Sequence, residues 1–223
     1  YLADKLFQIN SMELINEFYH FSDTIEILQD KVGIVIGSTS GIGKDICKLL
    51  KENKCRVYGY SRQNGVDVRD YVALEKVMAD VYKKEGRIDY VINTSGILNI
   101  SKLETLSFED IAYITNVNYI GSVNVTKAAI PYLKETKGSV ILFTSSSYTR
   151  GRAMYSIYSS TKAAIVNFAQ AMSEELYEDG IKINVINPER TDTPMRRKNF
   201  GVEPKESLLE SVKVAKETLK VVT

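Results

Sequence analysis

Val32-Gly33-Ile34-Val35-Ile36-Gly37-Ser38-Thr39-Ser40-Gly41-Ile42-Gly43 decides the fold of this chain. Val32–Ile36 is a short apolar run rich in β-branched residues, the pattern of a strand buried on both faces. It runs straight into Gly37, Gly41 and Gly43, and residues 44–51 then follow with helical spacing. Strand, tight glycine turn and helix therefore succeed one another without a linker. Glycines let the backbone reach positive φ and come close to a ligand, while the start of a helix offers unpaired N–H groups and the positive end of its dipole. A pyrophosphate is what such a turn holds, and a dinucleotide is the ligand this context implies. Gly37, Ser38, Thr39, Ser40, Gly41, Ile42 and Gly43 form the expected cradle.

Outward from this turn, apolar strands alternate with amphipathic segments. The clearest further strands are residues 56–61, 88–93, 140–145 and 183–187, with 65–68 as a very short one. Leu74, Val77, Met78 and Val81 make a helical stripe, and Ser107 three residues before Asp110 caps the next helix. Alternation of this kind predicts an α/β fold, a Rossmann-type doubly wound parallel sheet with helices on both faces. Residues 30–223 read as one domain. In residues 1–29, the positions Leu2, Leu6 and Ile9, then Leu14, Phe18 and Phe21, read as helical pieces. They are expected to form an N-terminal helical extension or the tail of an upstream domain. The chain begins with Tyr1 rather than Met, which reads as a fragment.

Composition narrows the function. Of 223 residues, 44% are hydrophobic and 26% charged, and the net charge is +1. No apolar run approaches the ~20 residues of a membrane span. So even a balance gives no sign of a nucleic-acid partner. Cys47 and Cys55 have neither a Cys-x-x-Cys spacing nor a multi-cysteine framework, so a reduced cytoplasmic protein is expected. The only histidine, His20, lies ahead of the first strand, which argues against a histidine triad or a three-histidine metal site.

Tyr158 and Lys162 are four residues apart on a segment with helical periodicity, and Ser145 closes the apolar run before it. Alone, the spacing describes an ordinary surface pair. Coupled to the glycine turn, it places a phenol, a cation and a hydroxyl where they can exchange a proton with a carbonyl oxygen. The expectation is that the lysine cation lowers the phenol pKa from its usual value near ~10.

These residues resemble the short-chain dehydrogenase/reductase family, which carries Gly-x-x-x-Gly-x-Gly at the first strand and Ser, Tyr and Lys at these relative spacings. The resemblance covers roughly residues 31 to 195. Asn93-Thr94-Ser95-Gly96 stands where the family has Asn-Asn-Ala-Gly, Asn118 where it has a helix asparagine, and residues 188–195 where it has Pro-Gly-x-x-x-Thr. Ile36, Thr94, Ser95 and Glu189 depart from that pattern. The resemblance implies a reductase in which Tyr158 gives the proton, Ser145 binds the carbonyl oxygen and Lys162 holds the nicotinamide ribose. Asn118 would hold a relay water, with Asn116 the rival, while Asn93, Gly96 and Pro188 would border the cofactor and Asp67 would contact adenine. A homodimer or homotetramer is also implied.

Ser61, at the end of the second strand, is not the acid that binds ribose hydroxyls, and Arg62 beside it offers a guanidinium to a 2′-phosphate, so NADP(H) is the expected cofactor. Arginine is also frequent near the expected pocket mouth: Arg150, Arg152, Arg190, Arg196 and Arg197. Its planar fork suits phosphate, and Arg150, Arg152 and Arg190 are the first choices for a small phosphorylated carbonyl substrate. A carrier-protein substrate, as in 3-oxoacyl carrier protein reductases, competes with that reading. The start Tyr1-Leu-Ala-Asp-Lys-Leu-Phe-Gln8 and residues 188–197 resemble bifunctional bacterial proteins that join a sugar-phosphate cytidylyltransferase to a reductase of this family. In those, ribulose 5-phosphate becomes ribitol 5-phosphate for surface polymers such as capsule. A nonenzymatic NADP-sensing module is the alternative of another class.

Overall fold

The computed structural model describes residues 6–9 and 27–222. Its centre is a six-stranded sheet in the order β1-β6-β5-β4-β2-β3, with every neighbouring pair parallel. The strands are β1 (Leu6–Ile9), β2 (Val32–Ile36), β3 (Arg56–Tyr60), β4 (Tyr90–Asn93), β5 (Ser139–Phe143) and β6 (Lys182–Pro188). Both β2 and β5 are buried along their whole length, as their unbroken apolar runs require.

Helices α1 (Gly41–Glu52), α2 (Tyr71–Glu85), α3 (Phe108–Thr115), α4 (Gly121–Thr136), α5 (Ser156–Glu175), α6 (Pro194–Phe200) and α7 (Ser211–Val222) complete the fold, with a small pair β7 (Thr191–Asp192) and β8 (Leu209–Glu210). Leu74 and Val77 of α2, Val125 and Leu133 of α4 and Ile165 of α5 pack one face of the sheet. Ile46 and Leu50 of α1 meet Val214 and Leu219 of α7 on the other. The anticipated cap is present, Ser107 accepting the N–H of Asp110 at 3.0 Å, and Asp70 caps α2 in the same way by accepting that of Ala73 at 3.0 Å.

Two expectations change. Residues 65–68 form no strand: Asp67 turns to the side chain of Arg69, and the carbonyl of Val68 accepts from Asn124 at 3.0 Å instead of joining a ladder. Val66 and Val68 are nonetheless buried. Leu6–Ile9, expected to be helical, is a strand that pairs with β6 from Leu6 opposite Val185 to Ile9 opposite Pro188. A short apolar run cannot be assigned by periodicity alone, and an open sheet edge decides it. The helical reading at Leu2, Leu14, Phe18 and Phe21, and His20, lie outside the described residues.

Candidate active site

The carboxyl ends of β2, β3, β4, β5 and β6 open onto one cavity of about 610 Å³. This is where open parallel sheets bind ligands. Gly37 has φ +87°, and a Cβ there would lie 2.6 Å from Thr94 Oγ1. At Gly43 a Cβ would lie 2.4 Å from the carbonyl oxygen of Gly37, so the first turn of α1 can fold back on the end of β2 only without a side chain. Thr94, one of the departures from the family pattern, donates its hydroxyl to the carbonyl oxygens of Ile36 (2.9 Å) and Gly37 (3.2 Å), tying β4 to the turn. Ser40, at the N-cap of α1, makes no side-chain capping bond, and the first turn carries no acid. Gly41, Ile42 and Gly43 thus face the cavity with helix-start N–H groups and a positive dipole end, a donor set that fits a pyrophosphate.

At the other end, Ser145, Tyr158 and Lys162 all line the cavity. Ser145 follows β5; Tyr158 and Lys162 lie one turn apart on α5. Lys162 is buried and donates to the carbonyl oxygen of Phe143 at 2.8 Å, with its Nζ 5.6 Å from the centre of the Tyr158 ring. Desolvation lowers its pKa to about 8. The phenol of Tyr158 is raised, not lowered as expected: burial outweighs its hydrogen bond with Ser145 and the nearby charge of Arg196. One of the three ammonium N–H groups is given to the carbonyl oxygen of Phe143.

Ser145 Oγ accepts from the hydroxyl (3.2 Å) and the N–H (3.3 Å) of Ser147, which is buried. With both acceptor sites taken, the Ser145 hydrogen is left to point elsewhere. The sequence carries no signal that singles out Ser147; its hydrogen bonds reveal it as a positioning residue. Asn118 lies in a π-helical turn, Asn116–Ile120, between α3 and α4, a feature common at functional sites. Both ends of its amide are engaged. Oδ1 accepts from the Ile97 N–H (2.8 Å), and Nδ2 donates to the Ile97 carbonyl (3.0 Å) and to Thr161 Oγ1 (3.2 Å). Asn118 therefore clamps the loop after β4 to α5.

Of the other expected cofactor contacts, Gly37, Thr39, Ser40, Arg62, Gly96 and Pro188 line the cavity. Ser38 turns its hydroxyl to the carbonyl of Tyr60 at 3.2 Å, and Asp67 is held by Arg69. Asn93 is buried beneath, bonded to Ser95 and Ser122. Arg62 donates to the hydroxyl of Tyr113 from the cavity wall.

The substrate arginines are placed differently from expectation. Arg150, Arg152 and Arg190 are exposed and are not part of the cavity wall. Arg196, on α6, is. Its guanidinium lies 4.5 Å from the centre of the Phe200 ring and is gripped by Glu203 through two bonds, 2.6 and 2.8 Å. Phe200 meets Tyr155 edge-on at 6.2 Å, and Tyr155 meets Tyr158 edge-on at 6.1 Å. Spacing alone could not single out Arg196 among its neighbours, because which way a side chain of α6 turns is fixed by tertiary packing.

A parallel sheet with a glycine turn at the dinucleotide end and a Ser-Tyr-Lys cluster at the other defines a nicotinamide-dependent oxidoreductase. The comparisons agree. The profile of the short chain dehydrogenase family matches residues 64–203, and the chain belongs to that family. It is 49% identical, over 96% of its own length, to the bifunctional ribulose 5-phosphate reductase/CDP-ribitol pyrophosphorylase Bcs1 of Haemophilus influenzae, of which it spans 45%. It is 28% identical to the 3-oxoacyl-[acyl-carrier-protein] reductase FabG of Thermotoga maritima, over 77% of this chain and 78% of that one. In fold it resembles the ligand-free aldohexose dehydrogenase of Thermoplasma acidophilum, with a TM-score of 0.82, 23% identity and 88% of each chain covered.

Proposed function

We propose that this domain reduces ribulose 5-phosphate to ribitol 5-phosphate with NADPH, in the cytoplasm, as one half of a protein that also carries a cytidylyltransferase and supplies a surface polysaccharide precursor. The observation that carries this reading is the Ser145, Tyr158 and Lys162 cluster in a chain 49% identical to a relative named for that reduction. The chain spans less than half of that relative, so the second activity and the pathway belong to the proposal.

Bound NADPH supplies the hydride. Gly41, Ile42 and Gly43 would hold its pyrophosphate, Arg62 its 2′-phosphate and Lys162 its nicotinamide ribose, using the N–H groups not given to Phe143. The raised pKa of Tyr158 keeps the phenol protonated at neutral pH, in the form that can donate to the developing alkoxide. Ser145, with both lone pairs taken by Ser147, turns its hydrogen to that same oxygen. Lys162 is mostly cationic below about pH 8 and stabilises the phenolate left behind. The family resemblance would place a relay water near Asn118, whose amide binds Ile97 and Thr161 and whose carbonyl accepts from Ser122.

The test is NADPH oxidation with ribulose 5-phosphate, ribulose and a 3-oxoacyl carrier substrate, with Tyr158→Phe as control. Tyr158→Phe should bind NADPH normally and lose at least ~10²-fold in kcat. Near-normal turnover in that variant would exclude the mechanism, and a preference for the carrier substrate would exclude the ketose.

A further inference from the structure

Resting on the reading that the substrate is a phosphorylated ketose, we infer that Arg196 receives the phosphate and that Glu203 fills its guanidinium fork as an internal stand-in until substrate arrives. Three observations converge on Arg196. It lines the cavity that contains Ser145 and Tyr158, whereas Arg150, Arg152 and Arg190 do not. Its side chain is 19% exposed, against 63% for Arg197, which turns away to Asp192. And its fork already holds a two-oxygen anion in the paired geometry that a phosphate would adopt, through Nε and Nη2.

The surroundings explain how the fork is held. Its backbone N–H bonds to Thr193 Oγ1 at 3.2 Å, and the guanidinium plane rests on Phe200. From Phe200 the edge-on contacts through Tyr155 to Tyr158 set the spacing between the point where an anion is gripped and the point where a proton is given. Glu203 comes from the coil after α6, where a small rotation of exposed backbone can withdraw it. Arg190 also acts on Glu203 and gives the displaced carboxylate a second cation to turn to. Glu189, at the Pro188 end of β6, is the one acid among the described residues on the cavity wall; Glu203 reaches the guanidinium from beyond that wall. With Glu203 in place, the resting pocket offers no net positive charge here, so a phosphate gains the fork only by exchange. A neutral sugar gains nothing from that exchange, and the device selects for the phosphorylated ketose.

The experiment measures kcat and KM for ribulose 5-phosphate and ribulose with NADPH, and the Ki of inorganic phosphate, in the wild-type protein, Arg196→Met, Arg196→Lys and Glu203→Gln. Wild type should favour the phosphorylated ketose. Arg196→Met should reduce that preference by about 100-fold, mostly through KM, and Arg196→Lys should recover only part of it, because an ammonium cannot form the fork. Glu203→Gln should lower both the KM for ribulose 5-phosphate and the Ki of phosphate by roughly 3- to 10-fold, since the competent fork is then always open. An Arg196→Met protein of normal melting temperature that keeps the wild-type preference would overturn the assignment while leaving the reductase reading intact. So would a Glu203→Gln protein whose phosphate Ki is unchanged. A wild-type protein that does not distinguish the two ketoses would instead remove the phosphorylated substrate itself, and the inference with it.

Discussion

Lys162 is an ammonium only 5% exposed on the cavity wall, and the cost of its burial sets a measurable pH dependence. In the folded protein its pKa falls from 10.5 to about 8. Below about pH 8 both folded and unfolded chains hold the proton, and the fold bears the full desolvation cost. Between 8 and 10.5 the unfolded chain binds more protons, so this residue's contribution to stability rises with pH. Lys162→Met should therefore stabilise the cofactor-free protein near neutrality, with the advantage over wild type shrinking by about 3 kcal/mol as pH rises through that window. Denaturant titrations of both proteins at pH 7 and 10 check this; a constant gap would mean that the amine is not paying for burial. Arg62→Ala should weaken NADPH much more than NADH, because only the former carries a 2′-phosphate, and fluorescence titration with each cofactor reads the difference directly. Tyr158, Lys162 and the glycine turn were legible in sequence because their geometry is local. Arg196 and Ser147 were not, since each is defined by partners that only the folded chain brings near.

At the scale of elements, the glycine turn and its helix act as a single rigid joint, and two glycines separate sterics from backbone strain. Gly43→Ala would drive a methyl to 2.4 Å from a backbone carbonyl, which cannot move without displacing β2 or α1. It should lower the melting temperature and weaken NADPH together. Gly65 has φ +87° but nothing within 4 Å of a Cβ. Gly65→Ala should cost only the ~1–2 kcal/mol of a left-handed alanine and leave turnover close to wild type. Thermal melts and cofactor titrations of the two variants make the comparison. Strands and helices were legible wherever apolar periodicity was long. The π turn at Asn116–Ile120 was hidden because residues 108–136 keep helical spacing across it, and the strand expected at 65–68 fails because Asp67 turns to nearby Arg69 and Val68 to the distant Asn124.

For the whole molecule, β1 is the unusual part. It comes first among the described strands yet pairs with β6, at the opposite edge from β3. Its register ends with Gln8 opposite Asn187 and Ile9 opposite Pro188, at the rim of the cavity. Deleting residues 1–10 should expose the β6 ladder, lower the melting temperature and promote association at higher protein concentration, which light scattering would detect. Intact behaviour of the truncated protein would show that β6 needs no cover. The same topology bears on synthesis. A ribosome releases β1 before the other described strands and its partner roughly 180 residues later, which at 5–20 residues per second leaves the strand waiting about 10 to 40 s. Of the strands described in this sheet, the first made is the last that can dock, so β1 stays an unpaired adhesive segment until β6 has emerged.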